Sequence, residues 1–425
     1  MAIAEQYDEI ARCNRCGFCQ VACPVFRATG RETGVARGRI AMLRALVEKR
    51  AEWNRELENS LFACLLCGAC TANCFPALPT SDLILEARTE YLERVGRNPL
   101  LRLLFTRLLP HPERVRLAAR AAGLGKRSGA TRVAKALKLL RCFGRDLERS
   151  EEIVDRFPAR AFRDTVKPGS YPGSGESLRI AYFVGCGTDV MCPAAGAASL
   201  QLLQLVARRV TVLDNCCCGL PPRAYGERDA AWKLAAKNIA LLSSEPFDLI
   251  VTDCSSCASF LKKYPALVPP GDPLAPAAAA VAAKVRDLLE VVVPPSAPSL
   301  QADEHLIVTY HDPCHAVRGQ GLSAQPRNLL RALKNVEYRE LPEADWCCGG
   351  AGSYALSHYD VSRKILERKM DNLARTGAGV LATSCPACIL QLSYGVRLRQ
   401  LPVRVCHVSE LIASRTQAPG LPRAT

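Results

Sequence analysis

Three hydrophobic regimes follow one another along the chain. Up to residue 97, apolar positions recur at helical spacing. In GVARGRIAMLRALVEKRAEW, Ile40, Leu43, Leu46 and Val47 share one face, and SDLILEARTEYLER (Ser81–Arg94) reads as a second helix. From Leu100 to Phe162, Leu, Ala and Arg dominate (LLRLLFTRLLP, ERVRLAARAAGL, TRVAKALKLLRCF), strand formers are sparse, and Pro110, Gly123 and Gly129 punctuate the pattern. This predicts two or three short basic amphipathic helices. They form either a connector packed on the body or a docking face for a partner subunit or an anionic membrane. VKPGSYPGSGES, residues 166–177, reads as a linker.

Beyond it the pattern turns to short β-branched runs alternating with helices, and it occurs twice. The first copy runs RIAYFVGC, a helix through Leu200–Ala207, VTVLD, CCCGLP, a helix through Ala230–Leu242, DLIVTDC and CSSCASFLKKY. The second runs LIVTYHDPC, a helix through Asn328–Leu333, VEYREL, CCGGAG, a helix through Val361–Ala374, GVLATSC and CPACILQLSYG. The Pro-rich VVVPPSAPS, residues 291–299, separates them. Such alternation implies parallel sheets with right-handed crossovers.

Cysteine is the compositional outlier, at 22 of 425 residues. A chain this long needs no disulfide scaffold, and the cysteines come in clusters, which reads as metal chemistry in a reducing compartment. CNRCGFCQVACP and CLLCGACTANCFP each place four as C-x2-C-x2-C-x3-C: Cys13, Cys16, Cys19, Cys23 and Cys64, Cys67, Cys70, Cys74. This spacing is that of bacterial ferredoxins with two [4Fe–4S] clusters, in which the fourth cysteine of a run ligates the other cluster. Cys13, Cys16, Cys19 and Cys74 are thus expected to hold one cluster, and Cys64, Cys67, Cys70 and Cys23 the other. Gly17 and Gly68 occupy matching places where the backbone must pass close to inorganic sulfide.

The two α/β copies carry Cys186, Cys217, Cys218, Cys254, Cys257 and Cys314, Cys347, Cys348, Cys385, Cys388 at matching intervals. Each group follows a strand, and the carboxyl ends of parallel strands form the ligand crevice of an open sheet. Five sulfurs per copy exceed what zinc or one cubane takes. Cys192, Cys216 and Cys406 fall outside this register and are expected to be non-ligands, as is the solitary Cys142. His311, Asp312 and His315 flank Cys314; they either serve a cluster, by hydrogen bonds or proton movement, or cap the next helix and pack at the strand end. Gly350–Ala355 fits G-x-G-x-x-A but lacks the rest of a dinucleotide fingerprint, and is expected to be a tight turn beside a cluster.

The formal net charge of +15 treats every cysteine as neutral. Cluster-bound thiolates are anionic, so part of the Lys/Arg excess compensates them. With few aromatics and no nucleic-acid motif, nucleic-acid binding is not expected. No apolar run is long enough to span a membrane, the N-terminus carries acids rather than a secretory core, and Ala275–Val285, interrupted by Lys284, reads as a soluble helix.

The helical setting of the first two cysteine runs resembles the α-helical ferredoxin domain of respiratory enzymes. The lone C … CCG … C-x2-C pattern resembles the CCG (cysteine-rich) domain of heterodisulfide reductases, lactate-utilisation proteins and the glycolate oxidase iron–sulfur subunit. Two ferredoxin runs joined to two CCG copies, with GVARGRI and CCGGAGSYALSH … CPACILQLSYG, is similar to the glycolate oxidase type in particular. The implied fold is an α-helical ferredoxin domain followed by a duplicated α/β (CCG) domain with parallel sheets. Its expected parts are a ferredoxin domain over 1–97, a basic helical connector and linker over 98–177, and repeats over 178–300 and 301–425.

The resemblance implies one or two further noncubane [4Fe–4S] clusters in the repeats and FAD only on a partner subunit. It implies an iron–sulfur electron-transfer subunit of a flavin-dependent 2-hydroxyacid (glycolate or D-lactate) dehydrogenase, with a membrane quinone or cytochrome as acceptor. The expected location is the cytoplasm, free or peripheral on the inner face of the membrane. The alternative is a catalyst like heterodisulfide reductase, acting on a disulfide at noncubane clusters. This chain keeps both five-cysteine sets whole, as those enzymes do.

Overall fold

The computed structural model describes residues 3–139, 145–293 and 304–416. Cys142 and most of the Pro-rich separator lie outside the described residues.

The N-terminal region is helical. Helix Ala36–Val47 buries Ile40, Leu43 and Leu46, as their spacing predicts, against Leu83, Ile84 and Ala87 of helix Thr80–Arg94. The two cysteine runs lie at the edge of this bundle, and their short helices Phe18–Ala22 and Ala69–Ala72 pack on each other.

The connector forms helix Pro99–Leu103, continued by one π turn over Leu104–Leu108, then helices Pro112–Arg127 and Ala130–Ala136. The Asn98 side chain starts the first by accepting from the amides of Leu100 and Leu101 at 3.0 and 3.3 Å.

Among the described residues nine strands follow: β1 (Gly169–Pro172), β2 (Arg179–Tyr182), β3 (Arg209–Val212), β4 (Leu249–Thr252), β5 (Val285–Asp287), β6 (Leu306–Tyr310), β7 (Val336–Tyr338), β8 (Val380–Thr383) and β9 (Arg404–His407). They build two sheets, β1-β3-β2-β4-β5 and β7-β6-β8-β9. Without β1 the orders are the same, and every pair is parallel: Ile180 sits opposite Val210 and Leu249, and Val308 opposite Val380. The sheets are parallel apart from β1, and the duplication read from the sequence is a duplication of topology.

Two features correct the sequence reading. The stretch expected to be a plain linker contains β1, an antiparallel edge strand with Tyr171 opposite Val210. Pro172 is tolerated there because an edge strand leaves amides unpaired. Each repeat also adds a fourth strand, β5 or β9, that the alternating pattern did not mark.

The two repeats share a core. Ile180, Val251, Val308 and Ala382 belong to one apolar cluster, and helix Pro193–Val206 of the first copy packs on helix Val408–Ser414 of the second.

Candidate iron–sulfur centres

The two ferredoxin-type runs adopt the same backbone trace. Arg15 and Leu66, each just before the second cysteine, have φ of 54° and 55°. Gly17 and Gly68, just after it, have φ of 87° and 72°. The glycines were legible as turn formers; the left-handed Arg15 and Leu66 were not, since L side chains rarely adopt that region.

The chain then places Cys23, the fourth cysteine of the first run, beside Cys64 and Cys70 of the second. Cys23 heads helix Pro24–Thr29, its sulfur accepting from the Phe26 amide at 3.5 Å. Burial pushes the Cys70 thiol up to about 12, with Cys64 adding to the shift. At the other end, Arg12 donates to the Pro76 carbonyl at 2.8 Å, which ties the start of the first run to the end of the second.

In the repeats the ten cysteines expected to act together form one continuous line of sulfurs. Cys186 donates to Cys217 at 3.9 Å, and hydrogen bonds continue through Cys218, Cys257 and Cys254. Cys254 meets Cys385 across the repeat boundary. Cys385 then leads through Cys388 to Cys348, 3.6 Å from it, and on to Cys347 and Cys314. In each group a thiol that accepts is driven towards thiolate. Cys218 falls to about 5 because Cys217 and then Cys257 donate to it. Cys347 is lowered by Cys314 and Cys348, and Cys385 by Cys254 and Cys388. The donors Cys186, Cys257, Cys314 and Cys388 are pushed up by the same bonds and by burial.

The carboxyl ends of the strands position this line, because each C-x2-C begins a helix immediately beyond β4 or β8. The same strand ends build the boundary between the copies. The Ser255 amide donates to the Ser384 carbonyl at 3.0 Å, their hydroxyls are 2.8 Å apart, and Tyr310 joins them at 2.8 Å.

Cys347 and Cys23 lie in one apolar cluster with Cys67 packed against it. The second ferredoxin-type run therefore abuts the second repeat, and Arg318, four residues after Cys314, covers Gly68. At the far end, the Cys217 amide donates to the Leu109 carbonyl at 3.4 Å, and helix Pro112–Arg127 packs on helix Cys186–Met191.

The surroundings fit anionic iron–sulfur groups. Buried nitrogens without a hydrogen-bond partner gather between Cys64–Cys70 and Cys347–Cys348: Arg39 Nη2, Arg318 Nη1, Trp346 Nε1 and both ring nitrogens of His311. Unpaired buried donors are costly, and sulfide acceptors would satisfy them. Gly349 and Gly350 also point their amides at the sulfurs of Cys347 and Cys348, each at 3.4 Å. The stretch Gly350–Ala355, expected to be a tight turn, does turn, with φ of 36° at Ala351 and 69° at Gly352; just before it Gly349 has φ of 84°, and a Cβ on it would meet the Ser362 carbonyl at 2.7 Å.

His311 is 1 % exposed, and its nitrogen lies within 4.8 Å of the Cys348 and Cys388 sulfurs. Burial pushes its pKa down to about 3, so it is neutral. Its neighbours behave differently. Asp312 is held by Arg327 at 3.0 and 2.8 Å, and His315 Nδ1 contacts Ser256, whose hydroxyl lies 3.4 Å from Cys385. None of the three caps helix Cys314–Gln320, which has no side-chain cap.

Cys192, Cys216 and Cys406 are all buried; Cys216 donates to Asn238 Oδ1 at 3.3 Å, and Cys192 lies within electrostatic reach of Cys385. Two buried cations were missed by the sequence reading. Arg88 donates to the carbonyls of Leu61, Phe62, Cys64 and Ala224, and Arg39 donates to Ser60 at 2.7 Å. Only Arg39 carried a signal, as part of GVARGRI.

Comparison with known proteins agrees with this layout. A family model for a 4Fe-4S dicluster domain matches residues 9–76, and one for a cysteine-rich domain matches 180–262 and 308–393. The linker region of the glycolate oxidase iron-sulfur subunit matches 96–154. A probable glycolate oxidase iron-sulfur subunit of Bacillus subtilis is 32 % identical over 95 % of this chain and 93 % of its own length. The glycolate oxidase iron-sulfur subunit of Escherichia coli is 26 % identical over 92 % of each chain. One subunit of a fumarate reductase (CoM/CoB) from Methanothermobacter marburgensis is 27 % identical over 96 % of this chain and 73 % of its own length. With the dicluster domain, the linker and both cysteine-rich copies in this order, the chain belongs to the glycolate oxidase iron–sulfur subunit family.

Proposed function

We propose that the chain is the electron-transfer subunit of a flavin-dependent 2-hydroxyacid dehydrogenase acting on glycolate or D-lactate. A partner subunit carries FAD and oxidises the substrate, and a quinone or cytochrome at the membrane is the acceptor. The observation that carries this reading is the unbroken line of sulfurs from Cys67 through Cys314 and Cys385 to Cys186. Cys13, Cys16, Cys19 and Cys74 would hold one [4Fe–4S] cluster and Cys64, Cys67, Cys70 and Cys23 the other, within residues 1–97. The five-cysteine sets of repeats 178–300 and 301–425, joined to the ferredoxin domain by the connector over 98–177, would hold noncubane clusters. When bound, such groups supply one-electron redox chemistry. The chain's own residues keep the path dry and supply counter-charge through Arg39 and Arg88.

The test uses the purified, iron-loaded chain. Alone it should oxidise neither glycolate nor D-lactate; with the flavoprotein encoded beside it, dye reduction should appear. Substantial hydroxyacid oxidation by the lone chain would sink the proposal.

One observation favours a second reading. Both five-cysteine sets are complete and meet at Cys254 and Cys385, which suits a disulfide-cleaving catalyst as well as a relay. Rapid turnover of a disulfide by the lone chain with a reduced dye would select it.

A further inference from the structure

The connector between the ferredoxin domain and the first repeat is unlike the rest of the surface. Of fourteen large apolar side chains exposed among the described residues, eight lie between residues 100 and 139. Leu100, Leu103 and Leu104 follow one another at i, i+3 and i+4. Leu117 and Leu124, 64 % and 62 % exposed, lie two helical turns apart, and Val133 and Leu137 lie one turn apart. The segment Pro99–Leu108 and helix Pro112–Arg127 thus show an apolar stripe to solvent while packing inward at Phe105 and Gly123, and helix Ala130–Ala136 buries no residue.

The charge is equally local. Residues 97–139 hold eleven Lys or Arg and one Glu, a net +10 against +15 for the whole chain. Five of the eleven pair with carboxylates beyond residue 139, such as Arg116 with Asp189 and Lys126 with Glu151. These pin the connector in place. Arg102, Arg107, Arg114, Arg127, Arg132 and Lys138 make no ion pair among the described residues.

We propose that residues 99–139 form a docking face for an anionic lipid surface, with the exposed leucines inserted at the headgroup boundary and the unpaired arginines against lipid phosphates. Apolar stripes bordered by uncompensated cations are what such surfaces bind. The placement also has a consequence for delivery. Leu109 and helix Pro112–Arg127 lie directly over Cys217 and Cys186, the end of the sulfur line farthest from the ferredoxin domain. Docking through this face brings that end to the membrane. The delivery step rests on the electron-transfer reading; the docking does not, and the two are measured separately.

The experiment is flotation of the full-length, iron-loaded chain with vesicles of phosphatidylcholine alone or mixed with phosphatidylglycerol. Binding is expected only to the mixed vesicles, with release as salt is raised. Leu117→Ser with Leu124→Ser, and separately Arg102→Gln with Arg132→Gln, should each weaken binding by about tenfold or more. Iron content should stay unchanged, because all four side chains are exposed; the arginine pair remains decisive if the leucine variant loses iron. Equal binding to both vesicle types, or variants that bind like the wild type, overturns the proposal. So does a chain that floats with neither while the same variants lose their complex with the flavoprotein, which would make the face a protein interface.

Discussion

His311 and Phe183 occupy the same place in the two repeats, three residues before Cys314 and Cys186. One is apolar; the other brings two unpartnered nitrogens beside Cys348 and Cys388. With a cluster bound, a neutral imidazole would donate its one N–H to a sulfur in the second repeat, and the first repeat has no counterpart at this place. His311→Phe should therefore keep the iron of that site but lower its midpoint potential. A hydrogen bond worth about 1 kcal/mol corresponds to roughly 40 mV for a one-electron couple. Redox titration of the repeat-two EPR signal checks this, and a shift below about 10 mV, an order-of-magnitude floor on the same scale, would assign His311 to packing alone. The sequence placed His311 at the right strand end but could not separate it from Asp312 and His315, because all three are polar and adjacent. Their partners are long-range: Arg327 for Asp312 and Ser256 for His315.

At the scale of elements, the helices and the strands β2, β3, β4, β6, β7 and β8 were legible because each has its own period. β1, β5 and β9 were not. Each is three or four residues long, β1 carries Gly and Pro, and each pairs at the rim of a sheet built elsewhere in the chain. The clamp made by helix Thr80–Arg94 was equally hidden. Its Arg88 reads as one more charge in an amphipathic helix, yet it is 4 % exposed and joins the loop before Cys67 to Ala224 of the first repeat. Burial lowers its pKa to about 10, so it stays cationic at neutral pH beside Cys64. Arg88→Met would leave several buried carbonyls without donors, at a cost of about 3 kcal/mol or more. The expected result is a lower melting temperature, with the iron of the Cys64, Cys67, Cys70 and Cys23 site lost before that of the repeats. Simultaneous loss from all sites on heating would show that the clamp does not act locally.

For the whole molecule, the decisive fact is order in space, and no periodicity in the sequence states it. The chain visits the ferredoxin region, the first repeat and then the second. The sulfurs run instead from the ferredoxin region to the second repeat and only then to the first, because Cys67 abuts Cys347 while Cys254 meets Cys385. Duplication alone would equally allow the sulfurs of the first repeat to lie next to those of the ferredoxin region, yet the first repeat meets that region through helix Thr80–Arg94, by contacts such as Arg223 with Glu86, and not through its sulfurs. This order makes the two repeats unequal in kinetics. On the proposed electron-transfer reading, with the flavoprotein and hydroxyacid in rapid mixing, Cys217→Ser should leave the ferredoxin and repeat-two signals reducible at the wild-type rate while reoxidation by quinone falls by about tenfold or more, an order-of-magnitude expectation if Cys217 is a ligand. Cys347→Ser should block earlier: the ferredoxin signals still reduce, and the repeat-one signal stays oxidised. Freeze-quenched EPR of the two variants reads both outcomes. If repeat one is reduced at the wild-type rate in Cys347→Ser, electrons reach it without crossing the second copy. The close contact of Cys254 with Cys385 would then serve only to hold the two copies together.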